Sequence, residues 1–217
     1  MREPRSLLDV APVMPVISVR NAADAVPAAR AIAQAGLSLV QVALDGPGSF
    51  EAIERIAAEA PKIVVGAGAL TDVTQPALAR AAGAEFLVAN TASAALREAM
   101  RATELPHLPG AASAVEAIDL LEDGYTDLVL FPAAAAGGLR HLKALAAFVP
   151  GARFCAVGGI GPVDLTGYLA APNVRCVSAD WLTPADAVRR RDWDRIRRLA
   201  DVAVKLSRPT VTAVRAL

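Results

Sequence analysis

The sequence predicts a single (β/α)8 barrel, the TIM-barrel architecture. Three observations predict it. Short apolar runs of strand length alternate with helix-period segments along the whole of a 217-residue chain. The alternation gives eight strands, repeating every 20 to 30 residues or roughly so, the compass of a compact βα unit. No linker or composition shift divides them, so one domain spans 1–217, with a core of about 8–205 and a loose C-terminal tail from Ser207. A doubly wound open sheet is the runner-up, but it would need fewer strands or a second domain.

The elements follow from local chemistry. Val13 to Val19 reads as a first strand, and Asn21 caps a helix from Ala22 to Ala35 that Gly36 ends. Leu37 to Leu44 is a second strand with a polar Gln41 in its middle; the turn Asp45-Gly46-Pro47-Gly48 leads to a helix from Phe50 to Ala60. Lys62 to Ala69 is a third strand ending in glycines, and Glu85 to Ala89 a fourth, after a helix near Gln75 to Ala82. Ser93 to Met100 is helical, Leu105 to Leu108 a short fifth strand, and Ala114 to Glu122 a helix. Asp127 to Phe131 is an apolar sixth strand stopped by Pro132; four alanines and Gly137-Gly138 lead into a helix from Leu139 to Phe148. Arg153 to Val157 is strand seven, running into Gly158-Gly159-Ile160-Gly161, and Asn173 to Ala179 is strand eight. Thr183-Pro184-Ala185-Asp186 reads as a helix start with a threonine N-cap, and a helix from Trp193 to Lys205 closes the domain.

Composition excludes several function classes. Lysine and arginine balance aspartate and glutamate, so nothing favours a nucleic-acid or anionic-membrane partner. The Arg189-Arg190-Arg191 run sits among Asp186, Asp192 and Asp194 and reads as a solvated helix end. No apolar run reaches a membrane span of roughly 18 residues and no leader opens the chain, so the expected compartment is the cytoplasm. Cys155 and Cys176 lie in apolar runs and read as reduced thiols; they could pair only if adjacent strands faced them together, and the expectation is that they do not.

In such a barrel the mouth is lined by strand ends. These place Gln41, Asp45, Ala69, Asn90, Phe131, Gly158, Gly159, Ser178 and Asp180 there. The Gly158-Gly159-Ile160-Gly161 loop lets backbone N–H groups converge on an anion, or it is a tight turn needing positive φ. Asp180 would repel a phosphate at that loop: two like charges about 5 Å apart at an effective dielectric near 20 cost roughly 3 kcal/mol. Alternatively it is an exposed cap. The two histidines, His107 on strand five and His141 in a helix, make no metal cluster; His107 is read as a barrel-wall or bottom residue and His141 as a surface residue. The three lysines, Lys62, Lys143 and Lys205, fall at the far end of strand three and on outer helices.

Met14-Pro15-Val16, Val65-Gly66-Ala67-Gly68, Leu108-Pro109-Gly110, Phe131-Pro132-Ala133 with Gly137-Gly138, Arg153-Phe154-Cys155 with Gly158-Gly159-Ile160, and Trp181-Leu182 with Pro184-Ala185-Asp186 come in a familiar order and spacing. In them the chain resembles the bacterial 2-keto-3-deoxy-6-phosphogluconate / 4-hydroxy-2-oxoglutarate aldolases over about residues 8–205. The resemblance implies a small barrel, usually a homotrimer, that reversibly cleaves a 2-keto-4-hydroxy acid to pyruvate and an aldehyde without a cofactor. It also implies that the family's imine-forming lysine falls at Val129 and its acid/base glutamate at Gln41. Its arginine falls at Asp45, its threonine at Ala69, its loop proline at Asn90 and its phosphate-loop serine at Asp180. The expectation that follows is a barrel without catalytic residues, metal or cofactor, and without Schiff-base aldolase activity. It is expected to bind a neutral or cationic small molecule at its mouth, or to serve assembly. The alternatives are an active aldehyde-lyase of this type and a structural partner that joins trimers with an active paralogue.

Overall fold

The computed structural model describes residues 6–208, so all but the first two residues of the expected tail lie outside the described residues. The strands are β1 (Val13–Ile17), β2 (Leu39–Ala43), β3 (Val64–Gly68), β4 (Phe86–Val88), β5 (His107–Leu108), β6 (Gly110–Ala111), β7 (Asp127–Leu130), β8 (Arg153–Ala156) and β9 (Val174–Ala179). Between and after them run α1 (Ala25–Gln34), α2 (Ser49–Glu59), α3 (Gln75–Ala81), α4 (Ala94–Arg101), α5 (Ala114–Glu122), α6 (Gly138–Phe148), α7 (Pro162–Leu169), α8 (Ala185–Arg190) and α9 (Trp193–Leu206).

All observed pairings are parallel, in the order β5-β4-β3-β2-β1-β9-β8-β7-β6. The ninth strand has a simple cause. β5 and β6 are two halves of one strand interrupted at Pro109, which has no N–H to give to a ladder. Its carbonyl still accepts from Val129 N at 2.8 Å. β5 pairs with β4 and β6 with β7, so the interrupted strand joins the two ends of the sheet and the barrel has eight strand positions.

Two apolar regions follow from the alternation of side chains along each strand. Val13, Ile17, Val40, Val42, Leu128, Leu130, Phe154 and Val177 point outward, under helices that contribute Ile32, Ile53, Ile56, Met100, Leu142 and Leu165. Met14, Leu39, Phe86, Val88, Leu108, Val129, Cys155 and Cys176 point inward and fill the lumen. A 3-10 turn, Leu7–Asp9, closes the N-terminal end by sending Leu7 and Leu8 into that inner cluster. Arg153 fastens it, donating to Asp127 at 2.7 and 2.8 Å and to Asp9 at 3.1 Å, while the Ser6 hydroxyl donates to Asp127. Burial of each large aliphatic or aromatic side chain contributes roughly 1.5–3 kcal/mol.

Helix starts are capped by short polar side chains. Ser93 accepts from Leu96 N, Ser113 and Glu116 form a reciprocal capping box on α5, and Asp192 accepts from Arg195 N. Thr183 does something else. The expected N-cap donates its hydroxyl to the Val16 carbonyl at 2.6 Å, and Pro184 takes the cap position of α8. The threonine therefore ties the end of β1 to the segment after β9, bracing the mouth rather than the helix. Among the described residues no helix is long and apolar enough to cross a membrane.

Candidate functional site

Polar groups enter the lumen above the inner apolar cluster. Gln41 on β2 and Ser178 on β9 flank β1 and meet across it: Gln41 Nε2 donates to Ser178 Oγ at 2.6 Å, and both residues are buried. The contact needs Gly68, where any Cβ would collide with the Gln41 side-chain amide. Immediately after it Ala69 holds φ +58°, a left-handed conformation unfavourable for a residue with a Cβ, at the rim of the mouth. The donation to Ser178 uses one of the two Gln41 amide protons, so the second and the serine hydroxyl proton remain available to an acceptor in the lumen.

Val129 lies wholly inside the apolar cluster, with Cys155 beside it in register. None of the three lysines reaches the lumen: Lys62 is exposed before β3, and Lys143 and Lys205 are exposed on α6 and α9. The cysteines are free thiols, as expected, but the expectation that they do not face each other needs correction. Cys155 and Cys176 stand opposite each other on adjacent strands, both fully buried and both thiols. The hydrogen bond with Cys155, followed by burial, pushes the Cys176 thiol well above its ordinary range. A surface role for His141 is also revised, since it is half-buried and its Nε2 bonds the Ala112 carbonyl at 2.9 Å. His107, as expected for the barrel wall, reaches the Tyr125 hydroxyl at 3.0 Å. Among the described residues no group of three or more His, Cys, Asp or Glu is placed to hold a metal ion.

The glycine loop after β8 has the backbone that its sequence suggested: Gly158 at φ +97° and Gly159 at φ +74°. Space as well as φ demands glycine there, since a Cβ on Gly159 would stand 2.9 Å from Ala134 Cβ and one on Gly158 3.2 Å from the Phe131 ring. Phe131 is half-buried and packs on the top of the inner cluster. Asp180 follows β9, the paired neighbour of β8, and is exposed. Asn90 is half-buried after β4, with its carbonyl pressed against Gly110, where a Cβ would clash.

Asp45 lies away from that loop, on the other side of β1. Its carboxylate accepts from the Ser18 hydroxyl at 2.6 Å, at the edge of a cleft of about 880 Å³. Arg20, Asp24, Arg189 and Arg191 line the same cleft. Arg191 pairs with Asp24 at 2.9 Å, whereas among the described residues Arg20 and Arg189 have no acidic partner. The arginine run thus belongs partly to the mouth, a role the sequence reading missed. Arg20 was missed too. Its one signal was position, directly after the first strand, where a (β/α)8 barrel places its mouth.

Comparison with known proteins bears on what this mouth does. The family model described as "Aldolase: KDPG and KHG aldolase" matches residues 5–199. A 2-dehydro-3-deoxy-phosphogluconate aldolase of Pseudoalteromonas atlantica is 38% identical, with 89% of this chain and 90% of that one covered. The KHG/KDPG aldolase of Escherichia coli is 37% identical, with 92% and 94% covered. Among solved structures, the KDPG aldolase of Legionella pneumophila, captured with pyruvate as a covalent carbinolamine intermediate, superposes with a TM-score of 0.87 at 35% identity. That superposition covers 90% of this chain and 95% of the other. These relatives overturn the expectation of an inactive barrel kept for binding or assembly, because proteins this similar over nearly their whole length are named aldolases; they favour the lyase alternative. By sequence and by fold alike, the chain belongs to the KDPG and KHG aldolase family.

Proposed function

We propose that the protein is an aldehyde-lyase that cleaves a 2-keto-4-hydroxy acid to pyruvate and an aldehyde. The observation that carries this reading is the near full-length similarity, at 37–38% identity, to proteins named as aldolases. In our reading Val129 occupies the position of the family's imine-forming lysine and Gln41 that of its glutamate. The electron pair released on cleavage is then held as an enolate by hydrogen bonds. The C3–C4 bond breaks, its pair moves to C3 and onto the C2 oxygen, and C4 becomes the aldehyde as its hydroxyl loses a proton. Ser178 and Gln41 donate to the C2 oxygen, an arrangement whose loss typically costs 10²–10³ in rate, or about 3–4 kcal/mol. Asp45, oriented by Ser18, takes the C4 hydroxyl proton directly or through one water. Arg20 supplies the cation for the substrate carboxylate. Return of a proton to C3 completes pyruvate. The same reading makes the protein a cytoplasmic homotrimer without a cofactor, and light scattering at three chain masses would agree with the assembly.

The test is pyruvate release from 2-keto-4-hydroxy acids, followed by coupled reduction to lactate. The wild type should turn over, and Asp45→Asn should lower kcat by about 10²–10⁴. Borohydride added with pyruvate should leave the intact mass unchanged. A lysine-linked adduct would replace the hydrogen-bonded enolate with an imine; no pyruvate from any such acid would sink the lyase reading itself.

A further inference from the structure

Two polar residues lie close together at the mouth end of β9. Ser178, on the strand, is buried and bonded to Gln41, and Asp180, two residues on and the first of the 3-10 turn Asp180–Leu182 that follows the strand, is exposed. A substrate whose keto oxygen sits at Ser178 and Gln41 therefore sends the far end of its carbon chain towards Asp180 and the neighbouring Gly158-Gly159 loop. The exposed backbone of that loop would suit an anion if nothing opposed it. Two carboxylates oppose it. Asp180 follows β9, whose Val177 is in register with Ala156 just before the loop, and Asp164 lies in the first turn of α7, where a Cβ on Gly161 would stand 3.9 Å from Asp164 Oδ2. Among the described residues neither aspartate has a salt bridge or a side-chain hydrogen bond, so neither charge is neutralised by a neighbour. The free arginines of the mouth, Arg20 and Arg189, line the cleft beside Asp45 instead.

We infer that Asp180 is a specificity-determining residue that selects against a phosphorylated substrate: the far end of the chain this protein accepts is an uncharged hydroxyl, which donates to the Asp180 carboxylate. The inference deepens the lyase reading and rests on it for the placement of the keto end. A phosphate monoester would bring close to two negative charges to a loop with two more nearby. A terminal hydroxyl brings none and supplies the donor that a carboxylate requires.

The experiment compares 2-keto-3-deoxygluconate with its 6-phosphate, by calorimetric binding and by pyruvate release, on wild type, Asp180→Ser and Asp180→Asn. Wild type should bind the unphosphorylated acid at least ten-fold more tightly. Both variants should shift that ratio at least ten-fold towards the phosphate. Equal or tighter binding of the 6-phosphate by wild type overturns the inference, as does a ratio that neither variant moves or the absence of measurable binding by either acid. Binding keeps this test separate from the lyase reading. Discrimination in calorimetry with no pyruvate from either acid would remove the lyase reaction and leave the role of Asp180 standing.

Discussion

The two ends of the lumen are built from the same strands and by opposite rules. Towards the N-terminal end, Met14, Leu39, Phe86, Leu108, Val129, Cys155 and Cys176 form a continuous apolar filling sealed by Leu7 and Leu8. Towards the C-terminal end, one or two residues further along several of the same strands, the chain turns to Gln41, Ser178, paired positive-φ glycines and exposed aspartates. The lower region is uniform because a buried group without a partner is costly, so apolar packing is its cheapest solution. The upper region is heterogeneous because each polar group there faces solvent or another polar group. Val129 marks the boundary. Its place in the apolar filling leaves the polar groups of the lumen above it, and the proposed reading assigns them the chemistry.

Substitutions that cross this boundary separate the regions. After Asp45→Asn, the largest effect on rate is expected at Gln41. On the proposed reading, replacement by alanine removes a donor to the substrate as well as the partner of Ser178, so pyruvate release should fall about 10²–10³. Unfolding in urea should show a loss of about 1–3 kcal/mol, because Ser178 is left buried without its partner. Val129→Ala should show the converse pattern: a stability loss of about 2 kcal/mol from the cavity left behind, with the rate of pyruvate release unchanged. A rate loss at Val129 without a stability loss would place catalysis below the boundary drawn here. The thiols sharpen the comparison from below. With Cys155 and Cys176 fully buried and the Cys176 thiol pushed up, an aromatic disulfide reagent at pH 8 should leave native protein unmodified and titrate two thiols after unfolding. Prompt reaction of the native protein would show that the lower filling opens.

The smallest effect lies outside the lumen, at the capping box of α5. The backbone N–H of Ala112 beside the Glu116 carboxylate holds its pKa below the usual 4.5. A depressed folded pKa contributes stability that is present above the unfolded value and lost as pH falls through the folded one. Below about pH 4.5 the wild type should therefore lose melting temperature more steeply than Glu116→Gln. Parallel acid limbs for the two proteins would remove Glu116 from the acid response.

Much of this architecture was legible in the sequence, for reasons that differ by element. Buried parallel strands read as short apolar runs, and a glycine such as Gly36 announces the end of a helix, so the eight-fold alternation could be counted. Pro109 hid the division of one strand because a proline beside a short apolar run reads equally well as its end. Thr183 misled because a threonine before proline and an acid is a good N-cap in isolation; the Val16 carbonyl that claims its hydroxyl is distant in sequence. The facing of Cys155 and Cys176 depended on a strand register that no local pattern carries. The cleft joining Ser18, Arg20, Asp45 and Arg189 is assembled from the ends of β1 and β2 and from α8, so its charges were visible only one by one. Function was the least legible, because Val129 and Gln41 stand at single positions while the similarity to aldolases is spread over nearly the whole chain.

The measurement that bears most directly on this account is pyruvate release by the wild-type protein from an unphosphorylated 2-keto-4-hydroxy acid, with Asp45→Asn assayed beside it. The account predicts steady turnover by the wild type, a fall of about 10²–10⁴ in the variant and no borohydride-trapped lysine adduct in either. Turnover that survives intact in Asp45→Asn, or no turnover in the wild type, would contradict it.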